Sequence, residues 1–282
     1  MGDLIGVDLG GTKVSVGLVS GKKIKKFVSE KINPKGSEKE ILNQIIRLIR
    51  DLFSDKVLAI GVGVPTILDV EKGIVYETTN IPSWKRVPLK SILEKKFKVP
   101  VFVNNDANCF ALGEKYFGKG IKYKNLVGLI IGTGCGAGII INGKLYTGHN
   151  CGAGEFGKVE FKNKNFDYYC SGQFFKGEYS ISGEELYEKA KKGDKKALKI
   201  FEEYGKNLGK ALSVIVNSID PECIILGGSV SKAHKFFWKT MKKSLKESVF
   251  KRCYSRLKIK VSEKENIAIL GAVSLYYQYF TP

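Results

Sequence analysis

Asp8-Leu9-Gly10-Gly11-Thr12-Lys13 follows the apolar run Leu4-Ile5-Gly6-Val7. A buried strand that ends in a Gly-Gly-Thr turn sets backbone N–H groups and a hydroxyl where phosphates can sit. The strand-end carboxylate of Asp8 can orient the waters of a hydrated Mg²⁺. A plain hairpin turn with a structural Asp uses the same residues for no chemistry. Two further turns tip the balance. Gly132-Thr133-Gly134-Cys135-Gly136-Ala137-Gly138 lies between the apolar runs Leu126–Ile131 and Ile139-Ile140-Ile141, and Gly227-Gly228-Ser229 ends the run Ile224-Ile225-Leu226. Three turns at strand ends, with no Cβ in the way of a ligand, point to two lobes closing on a nucleotide. They form neither a Walker A loop nor a dinucleotide fingerprint, because a hairpin and not a helix follows Gly11.

Asn104-Asn105-Asp106-Ala107-Asn108 is the candidate for catalysis. It follows the short strand Val99–Val103 and precedes a helix over Ala107–Phe117. Asn and Asp cap helices at such a junction simply to satisfy free N–H groups. A carboxylate at the carboxyl end of a strand can also take the proton of a hydroxyl as it attacks phosphorus. Both readings stand on this segment alone.

The elements that must position these groups follow from periodicity. Strands are expected at Leu4–Asp8, Lys13–Val19 and Ile24–Val28. The stripe Ile41, Leu42, Ile45, Ile46, Leu48, Ile49 and Leu52 predicts a helix over Ser37–Phe53. A strand at Val57–Val64, a helix at Leu89–Phe97 and the Asn104 junction complete a βββαβαβα run. From Leu126 the pattern repeats, interrupted by an insertion at 144–182. Helices Gly183–Lys192 and Asp194–Ile219, strand Cys223–Leu226, helix Ala233–Ser248, strand Leu257–Ser262 and a final helix from Ala268 follow.

On these motifs the chain resembles the ROK family of sugar kinases and sugar-responsive repressors, within the actin/hexokinase superfamily. The resemblance rests on D-L-G-G-T-K at 8–13, G-V-G-V-P at 61–65, N-N-D-A-N at 104–108, G-T-G-x-G-x-G at 132–138, G-E-F-G at 154–157, D-P-E-x-I-I-L-G-G at 220–228 and I-L-G-A at 269–272. It implies a two-lobed α/β actin-like ATPase/hexokinase (ribonuclease H-like) fold with the active site in the interlobe cleft. The lobes would be 1–117 plus the returning helix 268–282, and 118–267 with the insertion 144–182. It implies Asp106 as general base in ATP-dependent phosphorylation of a hexose, glucose first. N-acetylmannosamine, N-acetylglucosamine and fructose remain open, as does a non-catalytic sugar-sensing regulator. Asn105, Glu155 and Asp106 would hold the sugar, with Asn80 on the substrate loop Pro65–Trp84. Gly10, Gly11, Thr12, Gly132, Thr133 and Gly134 would bind phosphate, with Gly227 and Gly228 near adenosine. Lys13 would touch phosphate or alternate outward along its strand. ATP and Mg²⁺, oriented through water by Asp8, are the implied cofactors, and a homodimer the implied assembly. Where the family often has Gly, this chain has Thr66.

The largest departure lies downstream. Many members carry E-x-G-H followed by C-x-C-G-x-x-G-C-x-E, whose His and three Cys hold a structural zinc. Here the first motif reads Glu155-Phe156-Gly157-Lys158. Anchoring on Ser182-Gly183 puts Glu178 on the final Glu, a second sugar ligand, and turns the cysteine positions into Tyr169, Ser171 and Lys176. Cys170 alone does not make a four-coordinate site, so no zinc is expected. Lys158 stands where the family's His touches sugar. Lys158 and Lys176 are cations where a cation was lost, and ion pairs to Glu155, Glu160 or Glu178 are one expectation, two solvated lysines the other.

Composition limits the remaining classes. The chain carries 47 Lys+Arg against 28 Asp+Glu, a net charge of +19. The excess is lysine, spread along the chain rather than gathered in a basic arm, and no helix-turn-helix precedes the first strand. Nucleic acid is therefore not an expected partner. With 43% hydrophobic residues the core is ample. No run of about 18 apolar residues marks a membrane span. The opening enters a strand at once, so no signal peptide is expected. Six cysteines at irregular spacing fit a reduced, cytoplasmic setting.

Overall fold

The computed structural model describes residues 2–76, 78 and 80–280. Two compact units divide the chain: residues 1–122, 138–153 and 263–282 form the first, and residues 123–137 and 154–262 the second.

The first unit opens as a meander, β1 (Asp3–Leu9), β2 (Lys13–Ser20) and β3 (Lys23–Lys31). Helix α1 (Glu38–Leu52) follows. Ser37 caps it: its hydroxyl accepts from Glu40 N–H at 3.2 Å, while the Glu40 carboxylate accepts from Ser37 N–H at 2.6 Å. Its apolar stripe is buried through Ile41, Leu42, Ile45, Leu48 and Ile49. Strand β4 (Val57–Val64) returns to the sheet. The loop Pro65–Trp84, within which Glu77 and Thr79 lie outside the described residues, contains β5 (Leu68–Asp69) and β6 (Ile74–Tyr76). These pair with β7 (Arg86–Val87) as a small antiparallel sheet over the buried Trp84. Two- and three-residue strands carry no readable alternation, so periodicity does not reveal them. Helix α2 (Leu89–Phe97), β8 (Val101–Asn105) and α3 (Asp106–Phe117) complete the run. The sheet order is β3-β2-β1-β4-β8, with β1, β4 and β8 parallel.

The second sheet has the order β11-β10-β9-β14-β15. Here β9 is Leu126–Ile131, β10 Cys135–Ile141 and β11 Lys144–Tyr146, and β10 passes from the second unit to the first. The insertion folds as the hairpin β12 (Glu160–Phe161) and β13 (Lys164–Asn165), then α4 (Phe166–Tyr169) and α5 (Gly172–Tyr179). Helices α6 (Gly183–Lys191) and α7 (Lys195–Ile219) follow, separated at Gly193. Then come β14 (Cys223–Gly227), α8 (His234–Lys246), α9 (Lys251–Arg256) and β15 (Lys258–Val261). Both sheets thus share one strand order, three antiparallel-meander positions followed by two crossover strands.

The last helix, α10 (Ile267–Phe280), packs in the first unit; Thr281 and Pro282 lie outside the described residues. A Cβ on Gly61 would collide with the Ala272 carbonyl, and one on Gly271 with the Cys109 carbonyl. Backbone therefore meets backbone on both sides of α10, which fixes the depth of α3 and hence the height of Asp106.

Candidate functional site

The first unit gathers Asp8, Asn105 and Asp106 at the carboxyl ends of adjacent parallel strands. Asp8 pairs with Gly63 and Gly63 with Asn104, so Asp8, Gly63 and Asn104 form one row across β1, β4 and β8, and Asn105 and Asp106 follow directly after it. Cys109 lies beneath them. Burial first, then the charges of Asp106 and Asp8, push its thiol well above the ordinary range.

The junction shows which residue of N-N-D-A-N caps the helix. Asn105 is the N-cap of α3: its Oδ1 accepts from Ala107 N–H at 2.8 Å and Asn108 N–H at 3.3 Å. Its Nδ2 donates to the Thr66 carbonyl at 3.2 Å. Asp106 is thereby relieved of the cap position, and its Oδ1 touches Ala107 N–H at 2.8 Å. Beneath the junction, buried Asn104 Oδ1 accepts from Asn105 N–H and from Asn108 Nδ2, each at 2.8 Å. Asn104 and Asn108 carry no separate signal in the sequence beyond the motif itself.

Burial raises the Asp8 carboxyl above its usual range, against the opposing pull of Lys13. Lys13 and Thr12 are both exposed, and Gly10 N–H closes the turn on the Lys13 carbonyl at 2.9 Å. Thr66, the expected departure from the family, ties the substrate loop down: its hydroxyl donates to the Tyr76 carbonyl at 2.8 Å. Asn80 is exposed on that loop and lies against Gly11.

The second unit gathers the other turns. Ser229 Oγ lies 3.6 Å from where a Cβ on Gly132 would stand, so the Gly132-Thr133-Gly134 and Gly227-Gly228 turns adjoin. Gly228 takes φ +85, a left-handed conformation suited to glycine. Glu155 opens a 3₁₀ turn at Phe156–Lys158 that packs on β10, with Gly157 against the Cys135 carbonyl. The Cys135 thiol is pushed up to about 12 by burial, then by the charges of Asp167 and Glu155. Asp167, which sequence reasoning missed, accepts from Cys135 N–H at 2.6 Å.

The positions that resemble zinc ligands are filled otherwise. Tyr169 is buried, with its ring 5.5 Å from Phe161 and 6.1 Å from Phe174, and its hydroxyl donates to Asn163 Oδ1. Ser171 caps α5 by accepting from Gln173 N–H at 3.2 Å. Lys158 and Lys176 are exposed, and among the described residues neither makes an ion pair. Glu178 is exposed and accepts from the Tyr168 hydroxyl at 2.8 Å. Around Tyr169 the contacts are aromatic, joined by Lys162, which lies 4.7 Å over the Tyr169 ring and 3.8 Å from Glu203; for Lys158 and Lys176 the solvated-lysine expectation is the one the geometry matches. The described residues contain no group of three or more His, Cys, Asp or Glu placed to hold a metal ion. No helix among them is long and apolar enough to cross a membrane.

Two α/β sheets of one strand order, each ending in glycine turns, define the actin-like ATPase class. Comparison with known proteins gives the family: the ROK family model matches residues 4–279, and the chain belongs to that family. It is 31% identical to the glucokinase of Thermotoga maritima, over 96% of each chain. It is 31% identical to the xylose repressor of Caldicellulosiruptor bescii, over 98% of this chain and 78% of the repressor. A crystal structure of a ROK family glucokinase from Streptomyces griseus, in complex with glucose and AMPPNP, superposes with a TM-score of 0.84 at 27% identity, covering 97% of this chain and 99% of that one.

Proposed function

We propose that this chain is an ATP-dependent hexose kinase, with glucose its first acceptor and Asp106 its general base. The observation that carries the reading is the division of labour at the α3 junction. Asn105 caps the helix, which sets Asp106 as the first residue of α3, two positions beyond Asn104, the β8 residue in register with Asp8 through Gly63.

Asp106 takes the proton from the attacking sugar hydroxyl as the oxygen approaches phosphorus. Phosphoryl transfer demands alignment and charge neutralisation more than covalent chemistry. Asn105, Glu155 and Asn80 orient hydroxyls, and Glu178 does so if its Tyr168 bond yields. Thr12, Thr133 and the backbone N–H groups of both glycine turns hold phosphate oxygens. Gly227 and Gly228 admit the adenosine. The donor set fits a hydrated Mg²⁺: Asp8 supplies one carboxylate, and Lys13 draws down the pKa that burial raises. Mg²⁺, when bound, would supply charge neutralisation to the phosphates. Among the described residues, no group of His, Cys, Asp and Glu fits a structural zinc.

The kinase names among relatives favour catalysis. The repressor relative and the exposed Lys158, which replaces the family's sugar-contacting His, favour a second reading as a sugar-sensing regulator. N-acetylmannosamine, N-acetylglucosamine and fructose are the alternative acceptors. ADP release from Mg-ATP, measured with glucose, fructose, mannose and the two N-acetylhexosamines, separates these. Stimulation by one sugar names the substrate. Stimulation by none, with ATP bound, favours the regulator.

A further inference from the structure

The Gly132-Thr133-Gly134 turn does not stand free. The Gly132 carbonyl accepts from Gly172 N–H at 2.8 Å, at the start of α5. The Thr133 carbonyl accepts from Gln173 Nε2 at 3.3 Å. The same Nε2 donates to Asp167 Oδ2 at 2.7 Å, and Asp167 Oδ1 accepts from Cys135 N–H at 2.6 Å. Asp167 also lies 2.9 Å from where a Cβ on Gly134 would stand.

These bonds have a geometric consequence. A trans peptide points its C=O and N–H in opposite directions. With the carbonyls of Gly132 and Thr133 both drawn toward α5, the N–H groups of Thr133 and Gly134 turn to the opposite face. Two successive N–H groups on one face form a concave anion site. A carboxylate placed under such a turn repels phosphate unless it is engaged, and here both its oxygens are engaged.

We propose that Gln173 and Asp167 are positioning residues for the triphosphate. Gln173 holds the Thr133–Gly134 peptide in its phosphate-facing orientation, and Asp167 fixes the orientation of the Gln173 carboxamide. The segment that lacks metal ligands in this chain therefore acts on the nucleotide through two hydrogen-bonded side chains. This rests on the kinase reading and deepens it.

Isosteric variants test it. Gln173→Met removes the donor from an exposed position, so the fold is retained. Asp167→Asn keeps shape but presents an N–H₂ to the Gln173 N–H₂, which forces the carboxamide to turn and sets an oxygen against the Thr133 carbonyl. Calorimetry with Mg-ATP and with adenosine, on wild type, each single variant and the double, reads the effect. Each single variant is expected to weaken Mg-ATP binding roughly tenfold, the scale of one charge-assisted hydrogen bond. Adenosine binding, which makes no phosphate contact, is expected to hold within about twofold, and the double variant to be no weaker than the singles, because both break one link. Mg-ATP affinity unchanged in both singles, an equal loss of adenosine binding, or fully additive losses would overturn the proposal. Wild type that binds no Mg-ATP would instead sink the kinase reading, and the proposal with it.

Discussion

Gly11 and Asn80 are in van der Waals contact: a Cβ on Gly11 would stand 2.7 Å from the Cβ of Asn80 and 2.9 Å from its Cγ. The tightest point of the first glycine turn is thus set against the substrate loop. Gly11→Ala must push Asn80 aside or unseat the turn. The expected result is a loss of about 100-fold in kcat/KM, the usual effect of a displacement near 1 Å at a reacting site. Activity within a few-fold of wild type would mean that neither contact matters.

Asp8 gives a pH test. Burial holds its carboxyl above the ordinary 3.8, although Lys13 pulls it down. Such a group binds its proton more tightly in the folded than in the unfolded chain. Stability therefore falls as pH climbs from the ordinary value through the raised one, and the cost of the charge is fully present above it. Asp8→Asn removes that cost. Its melting temperature is expected to exceed that of wild type at about pH 8, with the gap closing as pH falls toward the ordinary carboxylate range, while Mg-ATP binding weakens. A gap that does not change with pH contradicts the account.

The insertion gives a metal test. Tyr169, which stands at one of the cysteine positions of the resembled pattern, packs against Phe161 and Phe174. Elemental analysis is expected to find no stoichiometric zinc, and a strong chelator to leave the melting temperature unchanged. Tyr169→Ala, in contrast, is expected to cost about 3 kcal/mol by urea denaturation, as large-to-small core changes do. Zinc bound one to one would reverse this reading.

Helix α10 gives a packing test. A side chain on Gly271 would drive into the Cys109 carbonyl, one turn along α3 from Asp106. Gly271→Ala is expected to lower stability by about 3 kcal/mol, since backbone cannot retreat as a side chain can. A shift of the urea midpoint by less than a third of that would show that α10 sits more loosely.

Much of this was legible from residue types. The glycine turns and N-N-D-A-N were visible because phosphate chemistry demands small residues at strand ends and a carboxylate beside them. What spacing left open was which residue caps α3. Either Asn105 or Asp106 satisfies the preference, and only the path of β8 into the helix decides for Asn105. Asp167 and Gln173 were invisible because they act on the turn from 32 and 40 residues away, through bonds that only the fold brings together. The lysines at 158 and 176 suggested ion pairs by their charge, but solvent exposure leaves such pairs little to gain.

The central claim is that Asp106 serves as base in sugar phosphorylation. The most direct measurement sets Mg-ATP binding beside hexose-stimulated ADP release for wild type and Asp106→Ala. The account predicts equal ATP affinity in the two proteins, with the stimulated rate lost by 100-fold or more in the variant. An Asp106→Ala protein that phosphorylates the sugar at near the wild-type rate would contradict it.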